Sequence, residues 1–346
     1  MLAHRRRLSA ALLVVVAAAG VLSACGSDSS SQRSDVATTA PQTPLAAPAL
    51  GTQAPSGTVV PAPASSTIVL DPTGRRVVVL GADRASLAVY SIADPRRPVA
   101  QRSIPLPVAV DALGALRNGV VIAAAPDRLL SIDLAAGTVA SRQVPVSQPL
   151  SLARLTDGRV AIGSAGGDLT VVSAAGDDGR VVRIGGLVRG DELAVHPRAG
   201  RDDQVLVLDR AQSSVTAVDV GDGSLGEALR AGDGATNLAV DHYGRFLVTD
   251  TRSGDLTAFY GDPIIMRFRY PVAAGPYAVG YDDTRNLAWV ATTGDNGLVA
   301  FDLASGIPVQ RKQSTTVRQA DALAVDNSTG VVYLVSARGD GLQAAY

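Results

Sequence analysis

The chain of 346 residues carries 31 basic and 32 acidic side chains, so its formal net charge is −1 at pH 7. Loss of the three arginines at positions 5–7 with an N-terminal signal would lower that charge to −4. A mildly acidic chain without a basic stripe lacks the electrostatic footprint of proteins that bind nucleic acid or anionic lipid. We therefore expect neither partner for the folded part.

An export signal is predicted over residues 1–24. A positively charged start is followed by an apolar stretch from Leu8 to Leu22, which is shorter than the ~20 residues of a membrane-spanning helix. The stretch ends in LSAC, which matches the lipobox of bacterial lipoprotein signal peptides. The resemblance implies that Cys25 is the mature N-terminus and carries acyl chains such as palmitate, which would anchor the protein on the extracytoplasmic face of the cell membrane. The alternative is an ordinary cleaved signal with an incidental cysteine.

Residues 25–56 are predicted to form the lipidated cysteine and a disordered tether. The segment after Cys25 consists mostly of Ser, Thr, Ala, Pro and Gln, and it shows no hydrophobic period. Such a composition offers too little apolar surface to offset the entropy of ordering the chain. Cys25 is also the only cysteine, so we expect no disulfide in the exported domain.

Seven repeats of about 40–45 residues follow, each with three or four short apolar strands separated by polar turns, and this period is typical of β-propeller blades. No part of the repeats shows a sustained helical stripe, and a sandwich or solenoid would not give seven units of this length. The sequence therefore predicts an all-β, seven-bladed β-propeller over residues 57–346. The first strands are STIVLD, DALGAL, PLSLARL, DELAVH, TNLAVD, PYAVGYD and DALAVD.

The last repeat stops after three strands, at GLQAAY. An isolated strand-like stretch, GTVVPAPA at 57–64, precedes the first full repeat. We expect this stretch to close the ring as the outermost strand of blade seven. Pro61 and Pro63 are compatible with that place, because one edge of an outermost strand need not donate hydrogen bonds.

The repeat phrase P-x-x-V/L-A-V-D-x-x-G-R-x-L-x-V resembles the YVTN and lactonase-like propeller superfamily. More narrowly, the stretches LRAGDGATNLAVDHYGRFLVTDTRSGDLTAFYGDPII and GPYAVG…NLAWVATTGDNGLVAFDLASGIPV resemble the LppL-like lipoproteins of mycobacteria and related actinobacteria. The resemblance implies a fold and a location in the cell envelope, and it implies no established activity.

Polar residues recur where the first strands begin, a position that lines the central channel of propellers. Asp111, Asp191 and Asp321 share one repeat position, and Asn237 lies beside the matching Thr236. Carboxylates gathered around one axis would suit a hard divalent cation such as calcium, and DALAVD resembles the metal-binding phrase of gluconolactonase-type propellers. The alternative is that these aspartates only cap turns.

Arg154 interrupts the apolar first strand of blade three, SLARL. A buried arginine needs a carboxylate partner, and Asp111 of the adjacent blade is the candidate if Arg154 faces the channel. The pair would either hold an acidic ligand or serve as a structural salt bridge.

Two functions are compatible with these features. The favoured one is a membrane-anchored, monomeric binding or scaffold module, without cofactor, for an envelope protein, a glycan or a small ligand. The alternative is a metal-dependent hydrolase of the lactonase type, in which a channel cation polarises a carbonyl and activates water. No nucleophile elbow, phosphate loop or zinc-protease motif occurs in the sequence.

Overall fold

The structure is a computed structural model that describes residues 37–51, 54–173 and 180–346. The predicted signal, Cys25 and the start of the tether lie outside the described residues. Residues 37–346 form one compact unit with its own core. Within the described ranges the chain forms strands and no helix, so none of these residues belongs to a helix that could cross a membrane.

The described residues form twenty-eight antiparallel strands in seven four-stranded sheets, in agreement with the predicted propeller. Blade one contains β2 (Ile68–Asp71), β3 (Arg76–Leu80), β4 (Ser86–Ser91) and β5 (Val99–Pro105). Blade two contains β6 (Ala112–Arg117), β7 (Val120–Ala125), β8 (Arg128–Asp133) and β9 (Thr138–Gln143). Blade three contains β10 (Pro149–Arg154), β11 (Val160–Ser164), β12 (Leu169–Val172) and β13 (Val181–Ile184). Blade four contains β14 (Glu192–His196), β15 (Gln204–Asp209), β16 (Ser214–Asp219) and β17 (Ser224–Arg230).

The remaining blades follow the same pattern. Blade five contains β18 (Ala235–Val240), β19 (Phe246–Asp250), β20 (Asp255–Tyr260) and β21 (Ile265–Pro271). Blade six contains β22 (Pro276–Asp282), β23 (Leu287–Thr292), β24 (Gly297–Asp302) and β25 (Val309–Thr315). Blade seven contains β26 (Ala320–Val325), β27 (Val332–Ser336), β28 (Leu342–Ala345) and β1 (Thr58–Val60). We call the face at which the innermost strands begin the top face, and the opposite one the bottom face.

The N-terminal strand closes the ring, as predicted. β1 pairs antiparallel with β28, with Val59 opposite Gln343. One apolar cluster then joins blade seven to blade one and includes the fully buried Tyr333 and Val77. The hydroxyl of Tyr333 donates to the carbonyl oxygen of Pro95 at 2.8 Å, which ties the last blade to the first. Six similar clusters lie between the other neighbouring blades, because both faces of each sheet bury aliphatic side chains.

A buried aspartate organises the bottom turn after the innermost strand in four blades. In blade five, Asp241 accepts the backbone N–H groups of Tyr243 at 2.9 Å and Arg245 at 2.8 Å. Gly244 allows this tight turn, since its φ is +82°. The equivalent side chains in blades one, six and seven are also fully buried; these are Asp71, Asp282 and Asp326. The aspartates at this repeat position are therefore structural turn residues.

Residues 37–51, within the predicted tether, form an extended segment that we call the strap. It has no regular secondary structure, as the composition predicts. It nevertheless contacts the top face: the backbone N–H of Thr39 donates to Ala211 of blade four at 2.8 Å, and Asn296 of blade six donates to the carbonyl oxygen of Pro48 at 3.0 Å. The structure thus differs from the expected free tether here, because these loops supply partners for the backbone of the strap.

Candidate functional site

The seven innermost strands line a central channel that holds a cavity of about 270 Å³. Every blade contributes one half-buried aliphatic side chain at the same repeat position, and each packs against the core between two blades. These residues are Ile68, Leu113, Leu152, Leu193, Leu238, Val279 and Leu323. The positions just before them, nearer the top face, carry polar groups in several blades. The channel is therefore apolar at mid-height and polar towards its top mouth.

Asp111 and Asp321 both line this cavity, as the sequence predicts. Asp111 forms an ion pair with Arg84 of blade one, with 2.8 Å between Oδ1 and Nη1. Asp321 has no ion pair among the described side chains, and it accepts hydrogen bonds from Nε2 of Gln319 at 2.9 Å and Oγ of Ser66 at 3.4 Å. Burial raises the pKa of the Asp321 carboxyl above its ordinary value. The positive charge of Arg338 opposes that rise. The cavity thus contains one carboxylate that has no direct ion pair among the described residues.

Asp191 does not line the cavity, so its predicted role in the channel is wrong. Its carboxylate is engaged by the guanidinium of Arg189, at 2.8 Å from Nη2, and by the backbone N–H of Arg210 at 2.9 Å. Arg189 lies in the connection that leads into β14, and Arg210 directly follows β15. The capping alternative describes Asp191 correctly, because the side chain fixes the start of β14.

Glu192 occupies the place in the channel wall that had been predicted for Asp191. Its Oε1 lies 2.9 Å from Nη2 of Arg210. About 36% of the Glu192 side chain is accessible to solvent. Partial removal of the carboxylate from water raises the pKa of Glu192, and the positive charge of the Arg210 guanidinium opposes that rise. Glu192 and Asn237 share a repeat position, one residue before Leu193 and Leu238. That alignment is the sequence signal that could have identified Glu192.

Asn237 lines the same cavity, in agreement with the prediction. Its amide nitrogen Nδ2 is buried and has no hydrogen-bond partner among the described residues. A buried donor without an acceptor costs about 1–3 kcal/mol. An unpaired donor in the wall of a cavity is therefore a position where the acceptor of a bound molecule would recover that cost.

The three aspartates predicted as metal ligands do not come together. Asp111, Asp191 and Asp321 turn towards Arg84, Arg189 and Gln319 respectively. In the described part of the chain, no three His, Cys, Asp or Glu side chains lie close enough to hold a metal ion. The predicted three-aspartate centre for a divalent cation such as calcium is therefore not formed.

Arg154 lies far from Asp111, so the predicted pair is also wrong. Since Asp111 precedes β6 and Arg154 ends β10, the two occupy opposite faces of the ring. Arg154 lines a crevice on the bottom face between blades two and three, together with Arg117. Partial burial and the neighbouring Arg117 lower the pKa of Arg154. The repeat pattern located the strand correctly, and the place of Arg154 at the end of that strand rules out a pair with Asp111 at the start of the neighbouring one.

The strap is connected to the channel mouth through one side chain. Nε2 of Gln319 donates to the carbonyl oxygen of Leu45 at 3.0 Å as well as to Asp321, while its Oε1 accepts the N–H of Ala47 at 3.0 Å. The side chain of Leu45 also lies close to Gly294 and packs against Gly275, where a Cβ atom would collide with it. The strap thus passes directly beside the site.

No family model and no curated protein matches the chain. Solved structures match it in fold. The Cps50 (Swd1) propeller domain of Myceliophteria thermophila is 10% identical, with a TM-score of 0.67 over 83% of this chain and 97% of that one. Hydrazine synthase of Kuenenia stuttgartiensis is 12% identical, with a TM-score of 0.67 over 85% and 98%. A streptogramin B lyase is 12% identical, with a TM-score of 0.65 over 84% and 95%. At such low identities these similarities establish the propeller fold alone.

Proposed function

We propose that this protein is an extracytoplasmic, lipid-anchored binding module, acting as a monomer, whose channel holds a small polar amine. The observation that carries the proposal is the pairing, in one cavity, of the unsatisfied Asn237 amide with the Asp321 carboxylate, which has no direct ion pair among the described residues. Asn237 requires an acceptor such as a hydroxyl oxygen. Asp321 has lone pairs left for a further donor, and an ammonium group would also supply the direct ion pair that this carboxylate lacks.

The size of the cavity supports a small ligand. Its volume of about 270 Å³ falls just below the roughly 300–1,000 Å³ of typical small-molecule sites. Glu192 adds a second acceptor, already oriented by Arg210. The seven aliphatic side chains that encircle the channel below these groups would contact the carbon skeleton of the ligand. An amino sugar or a similar hydroxylated amine combines all of these features.

The lipid anchor is supported by sequence alone. The LSAC signal, the tether and the repeat phrases resemble LppL-like lipoproteins of actinobacteria. The YVTN and lactonase-like superfamily provides the broader resemblance. The test is expression of the full chain in an actinobacterial host, followed by membrane fractionation and mass spectrometry of the N-terminal peptide. Wild type should carry a diacylglyceryl group on Cys25, and Cys25→Ser should leave the membrane fraction. An unmodified, soluble wild type would overturn the anchor.

The ligand class is tested by calorimetric titration of residues 37–346, which form a compact unit. D-glucosamine and D-glucose differ at a single position, where an amine replaces a hydroxyl group. We expect saturable binding of glucosamine, at least tenfold weaker binding of glucose, and loss of glucosamine binding in Asp321→Asn. Equal affinities for the two sugars, or unchanged binding in the variant, would contradict the proposal. The alternative is the metal-dependent hydrolase. It is tested by the same titration with divalent cations instead of the sugar.

A further inference from the structure

A crevice on the bottom face between blades five and six lies apart from the channel. It encloses about 440 Å³, within the range of roughly 300–1,000 Å³ for small-molecule sites. Tyr243, Tyr260 and Phe268 supply aromatic walls. Tyr243 and Tyr260 are 54% and 43% exposed, so their rings are open to contact.

Arg267 supplies the unusual charge of this crevice. β20 and β21 change register between Ala258 and Phe259, which pair with Phe268 and Met266 respectively. Arg267 is thus the extra residue of a β-bulge, a feature that redirects a side chain out of the regular sheet pattern. Within the described ranges the exposed side chain of Arg267 has no ion-pair or hydrogen-bond partner.

The neighbouring blade six contains the same kind of bulge, and there the arginine is paired with a carboxylate. In blade six the register changes between Ala300 and Phe301, so that Arg311 is the extra residue. Its Nη2 lies 2.8 Å from Oδ2 of Asp302. In blade five the position of Asp302 is occupied by Tyr260, because Tyr260 follows Phe259 as Asp302 follows Phe301. Blade five therefore keeps the arginine and replaces its carboxylate with an exposed aromatic ring.

Arg245, the other charged residue among those described in the crevice lining, is already paired. The guanidinium of Arg245 contacts Asp241, the hydroxyl of Tyr281 at 2.9 Å and the carbonyl oxygen of Leu303 at 3.0 Å. It also lies over the Tyr243 ring, 5.2 Å from the centroid. Arg245 is consequently held in place as part of the wall, and Arg267 is left to attract an anion.

One further atom indicates a ligand. Oδ1 of Asn286, in the bottom turn of blade six, is buried without a hydrogen-bond partner among the described residues. Asn286 lines the crevice, and its backbone has a left-handed φ of +54°. An N–H or O–H group of a bound molecule would satisfy this acceptor.

We infer that this crevice is a second binding site, for a small amphipathic anion with a flat apolar body. The anionic group takes the place that the Asp302 carboxylate has beside Arg311, the apolar body lies between the aromatic rings, and a donor reaches Asn286. This inference is independent of the ligand in the channel.

Two fluorescent dyes with the same ring system test the inference on residues 37–346. They are 8-anilinonaphthalene-1-sulfonate and the uncharged N-phenyl-1-naphthylamine, which lacks only the sulfonate. We expect the sulfonate to bind saturably, and Arg267→Ala to weaken it roughly tenfold or more while leaving the neutral dye unchanged. Arg311→Ala is the matched control and should alter neither dye.

A second variant gives the crevice its own carboxylate. Tyr260→Asp copies the arrangement of blade six, so Arg267 should pair internally and the sulfonate should lose affinity as in Arg267→Ala. Thermal unfolding of Tyr260→Asp shows whether it is folded. Because the variant also loses an aromatic wall, the neutral dye measures that loss, and the sulfonate should lose more affinity than the neutral dye does. If Arg267→Ala and Arg311→Ala behave alike, or if both dyes bind equally well to wild type, the inference is wrong.

Discussion

Gln319 and Asp321 are joined side chain to side chain at the top mouth of the channel, with 2.9 Å between Nε2 and Oδ1. The same amide nitrogen donates to the strap at Leu45. Gln319 is 5% exposed and has a left-handed φ of +52°, a conformation that costs a non-glycine residue about 1 kcal/mol or more. One buried side chain thus links the strap to the carboxylate that we propose for ligand binding.

Gln319→Ala should release the strap. The substitution removes two hydrogen bonds to the strap and one to Asp321, so we expect unfolding to require about 1–3 kcal/mol less free energy. Hydrogen exchange of residues 39–48 should become faster, because the Ala47 amide loses its acceptor. Gln310→Ala is the control, since Gln310 bonds only to the exposed Gln313. Unchanged exchange in the strap would show that Gln319 does not hold it.

Asp321→Asn should stabilise the protein in a pH-dependent way. Burial raises the pKa of Asp321 in the folded state above its ordinary 3.8, so the folded state binds this proton more tightly than the unfolded state does. The unfolding free energy of wild type should therefore fall as pH rises through the interval between these two pKa values. Thermal unfolding should show the variant to be more stable than wild type at pH 7, with the difference vanishing below pH 3.8. A difference that is constant with pH would contradict this account.

The same ionisation should govern ligand binding. The Asp321 side chain attracts an ammonium group strongly only while its carboxyl group is ionised. Affinity for glucosamine should therefore decrease as pH falls through the raised pKa of Asp321, and it should do so above the pH at which an ordinary aspartate titrates. Calorimetric titration between pH 4 and 6.5, where the amine of glucosamine stays protonated, measures this, and an affinity independent of pH would place the amine elsewhere.

Asn237→Leu should raise stability while it abolishes binding. The leucine removes a buried donor without an acceptor, and it has a similar volume. We expect a gain of about 1 kcal/mol, or roughly 2 °C in Tm, together with at least a tenfold loss in affinity for glucosamine. Destabilisation by this substitution would indicate that the amide already has a partner in the folded protein.

Asp282→Ala should be strongly destabilising, because this aspartate is structural. Its fully buried carboxylate accepts the N–H groups of Thr284 at 3.1 Å and Arg285 at 2.9 Å. Leaving these groups unpaired should cost about 2–4 kcal/mol. Chemical denaturation measures the loss. Asp262→Ala is the control, because it removes an ion pair whose carboxylate is 61% exposed. It should lower the free energy of unfolding by less than about 1 kcal/mol. Similar losses of stability in the two variants would contradict the structural role of Asp282.

The repeat pattern predicted the ring, its closing strand and the channel position of Asp111, Asn237 and Asp321. It failed for Asp191, because repeat alignment does not fix the direction of a side chain or its partner. It failed for Arg154, because this residue lies at the bottom end of its strand, away from Asp111 at the top. Arg189 and the Arg210 backbone draw Asp191 away from the channel, and Glu192 takes its place.

Two features carried no sequence signal. The strap is rich in Ala and Pro and has no period, and its contacts depend on side chains such as Gln319 that are about 270 residues away in the chain. The exposed charge of Arg267 depends on a β-bulge, which is a property of strand register. Only the comparison with Arg311 in the folded ring shows that its carboxylate is missing.

The most direct test of the central claim is thermal unfolding of residues 37–346 with EDTA, with calcium, magnesium, manganese or zinc, and with glucosamine. A ligand that binds only the folded state adds about 2.7 kcal/mol of stability at a hundredfold excess over Kd. The account predicts a rise in Tm with glucosamine that is lost in Asn237→Leu, and no rise with any of the four cations. A rise with one cation that disappears in Asp321→Ala, without an effect of glucosamine, would contradict it and identify the channel as a metal centre.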